Sequence, residues 1–440
     1  MKLRKIALLL MASALCLLLT GCFVKTVDEL YTLPMHSDEY DNLQKAIDAV
    51  MLEAGVEYSA PISGSNQQSV QLADLDGDGE EEAIVFAKST GERPLKAYLF
   101  DKQDGVYSNI AVIEGNGTAF ARVEYTQLDT QEGVEMIIGR QLSDQVLQSL
   151  SVYSLSDGRV AERMSASYSQ FAVTDLDNDG KSDLFVLRFD PESRQGVAEL
   201  YRDQDGQLER GNEVPLAAEA LSVKRMITGY VAYNIPAVFV ASATEEDSLV
   251  TDVFIFRGGT FQNLTAEGQA QTVRNYFVYA DDINSDGLIE LPELVTLPAA
   301  DATGDTYSLI RWYNLGLDGS KNVVLRTYHR FASGWYVIIP DEWDERVTIS
   351  RSGEVSGTRG LIFSAWNGAA PAEPVFTIYA FTGDDRLQAA EADGRFLLME
   401  QGDTAYSAEL GTAEWAKNMT QDDLRSLFKM IHVDWNSGET

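Results

Sequence analysis

Short apolar runs separated by polar turns extend through most of the chain, and they predict β-strands rather than helices. Residues 69–73, 83–87 and 184–187 are examples, each four or five residues long and flanked by turn-forming residues. A second kind of run alternates aromatic side chains and ends in a polar turn with a glycine. It occurs at residues 98–101, 152–155, 200–203 and 254–257, followed by Gly105, Gly158, Gly206 and Gly258. We therefore expect a mainly β fold.

Three turns between such runs carry the same acidic pattern. Counted from the first aspartate, an oxygen-bearing side chain stands at positions 1, 3 and 5, a glycine at position 6 and a carboxylate at position 9. Ca²⁺ takes roughly 6–8 oxygen ligands, which a loop wrapped round the ion supplies at such alternate positions, and glycine permits the sharp turn. The pattern therefore predicts calcium sites. The candidate ligands are Asp74, Asp76, Asp78 and Glu82 in loop 1; Asp175, Asp177, Asp179 and Asp183 in loop 2; and Asp282, Asn284, Asp286 and Glu290 in loop 3.

The neighbours of these loops favour β-hairpins over the helix-loop-helix calcium hands that share the loop spacing. Loops 1 and 2 stand between apolar, strand-like runs. Loop 3 is closer to a calcium hand, because Glu293 stands at position 12, where a bidentate carboxylate binds the ion. Residues 275–279 nevertheless form a strand-like run before it, and Pro292 follows closely. We favour strands on both sides of loop 3 and keep Glu293 as a candidate ligand.

The loops recur at a nearly constant interval. Asp74 and Asp175 are 101 positions apart, and Asp175 and Asp282 are 107 positions apart. Half of this interval predicts two further units, near residues 125 and 229. The first keeps Asp129 but has lost most of its ligands, and the second has lost its acidic residues. A period of about 50 residues with about four strands per unit is typical of β-propeller blades.

The acidic loops on hairpins resemble those of FG-GAP and VCBS repeats, the blades of integrin-α-like propellers. The resemblance covers roughly residues 56–300. It implies a β-propeller in which the ligands of loops 1–3 bind Ca²⁺, and it does not extend to the degenerate units. Five blades can be identified in the sequence, and a ring of six or seven blades remains an alternative.

The amino terminus has the features of a secretory leader. Lys2, Arg4 and Lys5 precede an apolar run from residue 6 to residue 19, which is too short for a membrane-spanning helix. The run ends in Leu19-Thr20-Gly21-Cys22, which resembles a bacterial lipobox. The resemblance implies a signal peptide at residues 1–21, lipidation of Cys22, and an extracytoplasmic protein anchored to the membrane at the cell surface.

Charge and cysteine content narrow the classes of partner. The chain has 34 Lys and Arg against 68 Asp and Glu, a formal charge of −34, which becomes −37 without residues 1–21. Phosphate binding needs a basic surface, so we expect no nucleic-acid partner. Cys22 would be the only cysteine after removal of the leader, so no internal disulfide is expected. A protein or a glycan is the expected ligand.

The two ends differ from the repeat region. Residues 22–55 are predicted to be a tether and a helix with Ser37 as N-cap, Gly55 after its end, and an apolar face of Leu43, Ile47, Val50, Met51 and Ala54. We assign residues 56–327 to the propeller and residues 328–440 to a small α+β domain. In that domain Thr420 and Asp423 should open a last helix, whose apolar face is Leu424, Leu427, Phe428 and Ile431.

Residues suited to catalysis were not identified. The three histidines, His36, His329 and His432, are isolated from one another and form no zinc-protease pattern. The sequence has no Gly-x-Ser-x-Gly elbow and no glycine-rich phosphate loop with a lysine. The first hypothesis is therefore a lipid-anchored, calcium-stabilised binding or adhesion scaffold. The alternatives are an exported enzyme acting on polysaccharide, with the propeller as an accessory module, and a calcium-sensing component of an envelope complex.

Overall fold

A computed structural model describes residues 38–103, 105–142, 147–204, 206–244, 248–266, 272–276, 278–300, 305–344 and 346–431. The predicted leader, the lipidation site at Cys22, and the histidines at 36 and 432 lie outside these ranges. The described chain is mainly β, with antiparallel strands in six sheets. None of its helices combines the length and the apolar character needed to cross a membrane.

Sheets 1–4 follow one another along the chain, and each is built from consecutive strands. Sheet 1 comprises β1 (Glu57–Tyr58), β2 (Val70–Ala73), β3 (Glu82–Lys88), β4 (Leu95–Gln103) and β5 (Val106–Gly115). Sheet 2 comprises β6 (Ala119–Thr126), β7 (Glu135–Gln141), β8 (Gln148–Ser156) and β9 (Arg159–Tyr168). Sheet 3 comprises β10 (Gln170–Thr174), β11 (Asp183–Asp190), β12 (Gln195–Gln204), β13 (Gln207–Arg210) and β14 (Val214–Pro215). Sheet 4 comprises β15 (Ser222–Val231), β16 (Ile235–Ala243), β17 (Leu249–Arg257) and β18 (Thr260–Asn263).

The remaining two sheets each contain one departure from simple chain order. In sheet 6 the order is β23 (Val347–Val355), β24 (Thr358–Trp366), β25 (Pro371–Thr382), β27 (Thr404–Leu410) and β26 (Phe396–Gln401). In sheet 5 the order is β19 (Leu291–Thr296), β20 (Ser308–Leu315), β21 (Lys321–Arg330), β22 (Trp335–Ile338) and β28 (Phe428–Met430). The described helices are α1 (Asp38–Ala54), α2 (Arg386–Glu391) and α3 (Gln421–Leu427).

Successive sheets pack face to face, because their central strands bury both faces. Ile84 and Phe86 of β3 share a core with Met136 and Ile138 of β7, which joins sheet 1 to sheet 2. Ile137 points from the opposite face of β7 into a core shared with sheet 3. Further cores join sheets 3 and 4, sheets 4 and 5, and sheets 5 and 6. The continuous apolar runs in these strands follow from burial on both sides.

Helices cover the outer faces of the first and last sheets. Leu43 and Ile47 of α1 pack against Val85, on the face of sheet 1 that points away from sheet 2. At the other end, Ala390 of α2 packs with Tyr379, on the face of sheet 6 opposite the core shared with sheet 5. The described strands of sheets 1 and 6 do not pair with each other. The six sheets thus form a stack with a helix on each terminal face.

The predicted amino-terminal helix is present in the described residues. It ends at Ala54, and Gly55 follows with a left-handed φ of 62°, as expected for the residue after a helix. Leu43 and Ile47 are buried, whereas Ala54 is exposed. The buried apolar face therefore ends earlier than the sequence pattern indicated, and Ser37 lies just outside the described residues.

The structure revises the expected carboxyl-terminal domain. The predicted boundary between residues 327 and 328 falls inside β21. The core between sheets 5 and 6 contains Leu297 and Leu309 from before this boundary, and Val347 and Phe428 from after it. Residues after 327 therefore share their core with residues before it, because β19–β21 supply one face of that core.

The last predicted helix is shorter than its apolar pattern suggested. The capping box between Thr420 and Asp423 is present, with both reciprocal hydrogen bonds. The helix ends at Leu427, and Phe428 begins β28, which pairs with β22 and closes the edge of sheet 5. Leu424 and Phe428 are both buried, but in a helix and a strand respectively.

The strand predicted at residues 275–279 is absent from the described part of that segment. Val278 and Tyr279 are buried core residues, so their apolar character reflects packing rather than a strand ladder. The segment pairs across loop 3 only at the bridge between Asp281 and Glu290. Loop 3 therefore lies between a single bridge and β19.

We expect Ile47→Ala to destabilise the protein because it removes a buried side chain that joins α1 to sheet 1. Ile47 is 2% exposed, and such truncations cost about 2–5 kcal/mol of unfolding free energy. The matched control is Leu52→Ala in the same helix, where the side chain is 84% exposed. Urea denaturation measures both variants. Equal midpoints for the two would contradict the packing of α1 on sheet 1.

Candidate metal centres

The three acidic loops share one backbone conformation. Loops 1 and 2 connect β2 to β3 and β10 to β11, and loop 3 leads into β19. Positions 4 and 6 have left-handed φ angles in each loop, although the motif explains only the glycine at position 6. The angles are 78° and 87° at Gly77 and Gly79, 59° and 89° at Asn178 and Gly180, and 63° and 89° at Ser285 and Gly287. This shared backbone lets the alternate side chains converge.

The first aspartate of each loop organises the turn by accepting backbone hydrogen bonds. Asp74 accepts from the amides of Gly77, at 2.8 Å, and Gly79, at 3.1 Å. The equivalent bonds to the position-6 glycine are 2.9 Å long in loops 2 and 3. Each loop is thus folded around the carboxylate at position 1.

The closing carboxylate ties the end of each loop back to its beginning. Glu82, Asp183 and Glu290 each accept a hydrogen bond from the backbone amide at position 2 of their own loop, at 2.7, 2.8 and 3.0 Å. The other oxygen of Glu290 is buried and has no hydrogen-bond partner in the described structure. A buried carboxylate oxygen without a donor is costly, and a cation would satisfy it.

The side chains of loops 1 and 2 converge into groups of three carboxylates. In loop 1, ligand oxygens of Asp74, Asp76 and Asp78 lie within 4.8 Å of one another. In loop 2 the same holds for the residues at positions 1, 3 and 9, Asp175, Asp177 and Asp183. All these ligand atoms are oxygens, the donors preferred by Ca²⁺ and Mg²⁺.

Loop 3 is arranged differently. The amide nitrogen of Asn284 donates a hydrogen bond of 2.9 Å to Asp286, and three converging carboxylates are not found among the described residues of this loop. Rotation of the Asn284 amide would present its oxygen instead. Glu293 lies on β19, where its carboxylate accepts a 2.7 Å hydrogen bond from Lys321. Glu293, the predicted position-12 ligand, therefore forms an ion pair with Lys321 outside the loop.

Burial and neighbouring negative charge raise the pKa values of the closing carboxyl groups. Burial is the largest cause in each case, and the aspartates of the same loop add to it. The pKa is raised to about 7 in Glu82 and in Asp183, and to about 8 in Glu290. The same causes raise the pKa of Asp76. A bound divalent cation would reverse this effect by favouring the ionised carboxylates.

Basic side chains already neutralise part of loop 2. Arg202 lies 2.7 Å from Asp177, and its guanidinium also stacks on Phe256 at 3.9 Å. Lys181 lies 3.4 Å from Asp179 and 2.8 Å from Asp203. Loop 2 therefore carries internal cations close to two of its candidate ligands.

The degenerate unit of sheet 2 keeps the closing hydrogen bond and pairs its remaining aspartate with an arginine. Glu135 accepts a 2.7 Å hydrogen bond from the Leu128 amide, as the closing residues of loops 1–3 do at their position 2. Asp129 is 1% exposed and forms an ion pair of 3.2 Å with Arg163. A guanidinium from β9 thus neutralises the remaining acid. The corresponding turn of sheet 4 follows β15 directly and has no acidic loop.

His329, the histidine that the structure describes, is a buried aromatic residue. Its ring lies 5.0 Å from that of Tyr336 and 5.3 Å from that of Phe331. Burial lowers its pKa to about 3, so the imidazole is neutral near pH 7. The acidic loops, rather than this histidine, form the recognisable chemical sites.

Comparisons with known proteins find only distant structural similarity. No family model matches the sequence, and neither does any curated protein. An exotype rhamnogalacturonan lyase, YesX, is 12% identical over 69% of this chain and 60% of the lyase, with a TM-score of 0.24. The chain thus spans less than two thirds of that lyase. A mutant of AofleA from Arthrobotrys oligospora, with three arginines replaced by alanine, is 9% identical over 73% of this chain and 89% of AofleA, also at a TM-score of 0.24.

We expect calcium binding to release protons near pH 7. The closing groups Glu82 and Asp183 have pKa values of about 7 without the ion, and Ca²⁺ binds the deprotonated carboxylate. Affinity should therefore fall as the pH is lowered from 8 to 6. Calorimetry at pH 7 in two buffers of different ionisation enthalpy measures the released protons. Identical binding enthalpies in both buffers would show that no proton is released.

We expect Arg202→Gln to strengthen calcium binding at loop 2, because it removes a positive charge in contact with Asp177. Calorimetry in an Asp76→Ala/Asp286→Ala background isolates loop 2, and the affinity should rise several-fold. Arg159→Gln, an exposed arginine on β9, is the control for the change in net charge. An equal effect of both substitutions would rule out a local role for Arg202.

Proposed function

We propose that this protein is a calcium-stabilised binding scaffold, held outside the cytoplasm by a lipid on Cys22. Its sheets would act as the blades of a propeller-like array, and its loops 1–3 would each bind one Ca²⁺. The observation that carries the proposal is the shared loop geometry. All three loops have the same backbone turn, and in each the closing carboxylate is fixed by the position-2 amide. In loops 1 and 2 this turn brings three carboxylates together.

The packing of the sheets supports the propeller-like arrangement. Sheets 1–6 stack in chain order, and the first hairpins of neighbouring sheets are joined by backbone hydrogen bonds. The Val134 amide donates to Asp74 at 3.1 Å, and the Ser182 amide donates to Gln127 at 3.0 Å. Calcium in loop 1 would therefore stiffen the hairpin of sheet 2 as well, since Asp74 supplies both the ligand and the acceptor.

Calcium would contribute stability by mass action. For about 1 mM external Ca²⁺ and a loop Kd of about 0.1 mM, each site adds about 1.4 kcal/mol to the free energy of unfolding. A protein or glycan ligand would bind to a surface formed by these sheets. The lipobox-like tetrapeptide and the strongly acidic chain support the assignment to the cell surface, where external calcium is abundant.

We expect Asp76→Ala to lower the melting temperature by about 2 °C in 1 mM Ca²⁺, since one stabilising site is lost. In chelator the variant should melt at the parent temperature or above, because repulsion among the loop 1 carboxylates is relieved. The control is Glu81→Ala, which removes one negative charge from an exposed position of the same loop.

Two results would contradict the calcium proposal. One is equal melting of the parent and Asp76→Ala in calcium. The other is the same calcium-dependent loss in Glu81→Ala, which would point to net charge rather than to a defined site.

A further inference from the structure

A basic groove lies where sheets 5 and 6 meet. Three adjoining cavities of about 420, 410 and 270 Å³ share residues along this junction. Arg351 of β23 lines all three cavities. Arg330 at the end of β21 lines the first two, and Arg359 of β24 lines the second and third. The three cavities therefore lie side by side along one groove, and each neighbouring pair shares at least one arginine.

The charge of this groove is opposite to that of the chain. The chain as a whole carries a formal charge of −34, yet the described lining contains three arginines and a single carboxylate, Asp305. Asp305 lies 3.0 Å from Arg351. None of the ion pairs among the described residues involves Arg330 or Arg359, and Arg330 shares a hydrogen bond with the Tyr328 hydroxyl. The positive charge of these two guanidinium groups is therefore not neutralised by a carboxylate of the described residues.

The rest of the lining suits a sugar. Tyr276 and Tyr307 are half-buried at the first cavity and present aromatic surface on which the apolar face of a pyranose ring can pack. Half-buried hydroxyl side chains line the first and second cavities and can exchange hydrogen bonds with sugar hydroxyls. They include Ser308, Thr358 and Thr404.

We propose that this groove binds an acidic oligosaccharide, with uronate carboxylates on Arg330, Arg351 and Arg359. Guanidinium groups pair with planar carboxylates through two parallel hydrogen bonds, which selects a uronate over a neutral sugar. The tyrosines and hydroxyls would hold the rings between the charges. The inference rests on the proposed binding function and gives it a ligand class and a site whose lining contains no residue of loops 1 and 2.

The test is calorimetric titration of the protein with trigalacturonate, using neutral galactotriose and triglutamate as comparison ligands. We expect trigalacturonate to bind, and both comparison ligands to bind at least about tenfold more weakly. The double variant Arg330→Gln/Arg359→Gln should lose about tenfold in affinity, corresponding to about 1.4 kcal/mol. Arg159→Gln removes one positive charge from an exposed hairpin of sheet 2, outside the groove lining. It is the control for net charge and should bind like the parent.

Each outcome decides a separate point. Equal binding of galactotriose, or an unchanged affinity in the double variant, would overturn recognition by the arginines. Equal binding of triglutamate would overturn the assignment to a sugar. Calcium-dependent melting, measured on the same samples, reports folding and the calcium sites independently. Calcium stabilisation without uronate binding would refute the groove and leave the scaffold proposal intact, whereas uronate binding without calcium stabilisation would refute the calcium sites alone.

Discussion

The hydrogen bond from a position-2 amide to a closing carboxylate is the constraint on which the first hairpins of sheets 1, 2 and 3 and the loop before sheet 5 depend. It joins the start of each loop to the first residues of the next strand, or to the bridge before it, and so fixes the width of the turn. Because it persists in sheet 2, where most acidic positions are lost, the bond serves the fold independently of any ion. The converging aspartates are an addition to a turn that is already closed.

The buried carboxylates of these loops are neutralised to different extents along the chain. In sheet 2, Arg163 neutralises Asp129 directly, so the turn is complete without an ion. In loop 2, Arg202 and Lys181 neutralise part of the charge. Loop 3 leaves a buried oxygen of Glu290 without a donor. The loops thus form a series of decreasing internal neutralisation. Glu290, whose pKa is raised to about 8, is the closing residue that has a buried oxygen without a donor.

Much of the fold follows from local sequence, and the exceptions have physical reasons. The central strands are apolar on both faces because they lie between neighbouring sheets, so their runs are easily recognised. Residues 275–279 have the same composition but bury Val278 and Tyr279 without a strand ladder, a distinction that only tertiary packing makes. The acidic motif identifies the carboxylates of the loops, yet the arginines beside them, Arg163 and Arg202, come from other strands. The basic groove draws on β21, β23 and β24, whose arginines show no pattern in the sequence.

The terminal helices also determine how tension would pass through the molecule. Helix α1, at the start of the described residues, is held on sheet 1 by side chains such as Leu43 and Ile47 rather than by strand pairing. A pull on α1 would therefore act on this apolar packing before it acts on the hydrogen-bonded sheets. Apolar side-chain contacts can break one after another under force. The hydrogen bonds between two strands that are pulled along their length bear the force at the same time. We therefore expect α1 to detach from sheet 1 at a lower force than the one that separates the strands of the stacked sheets.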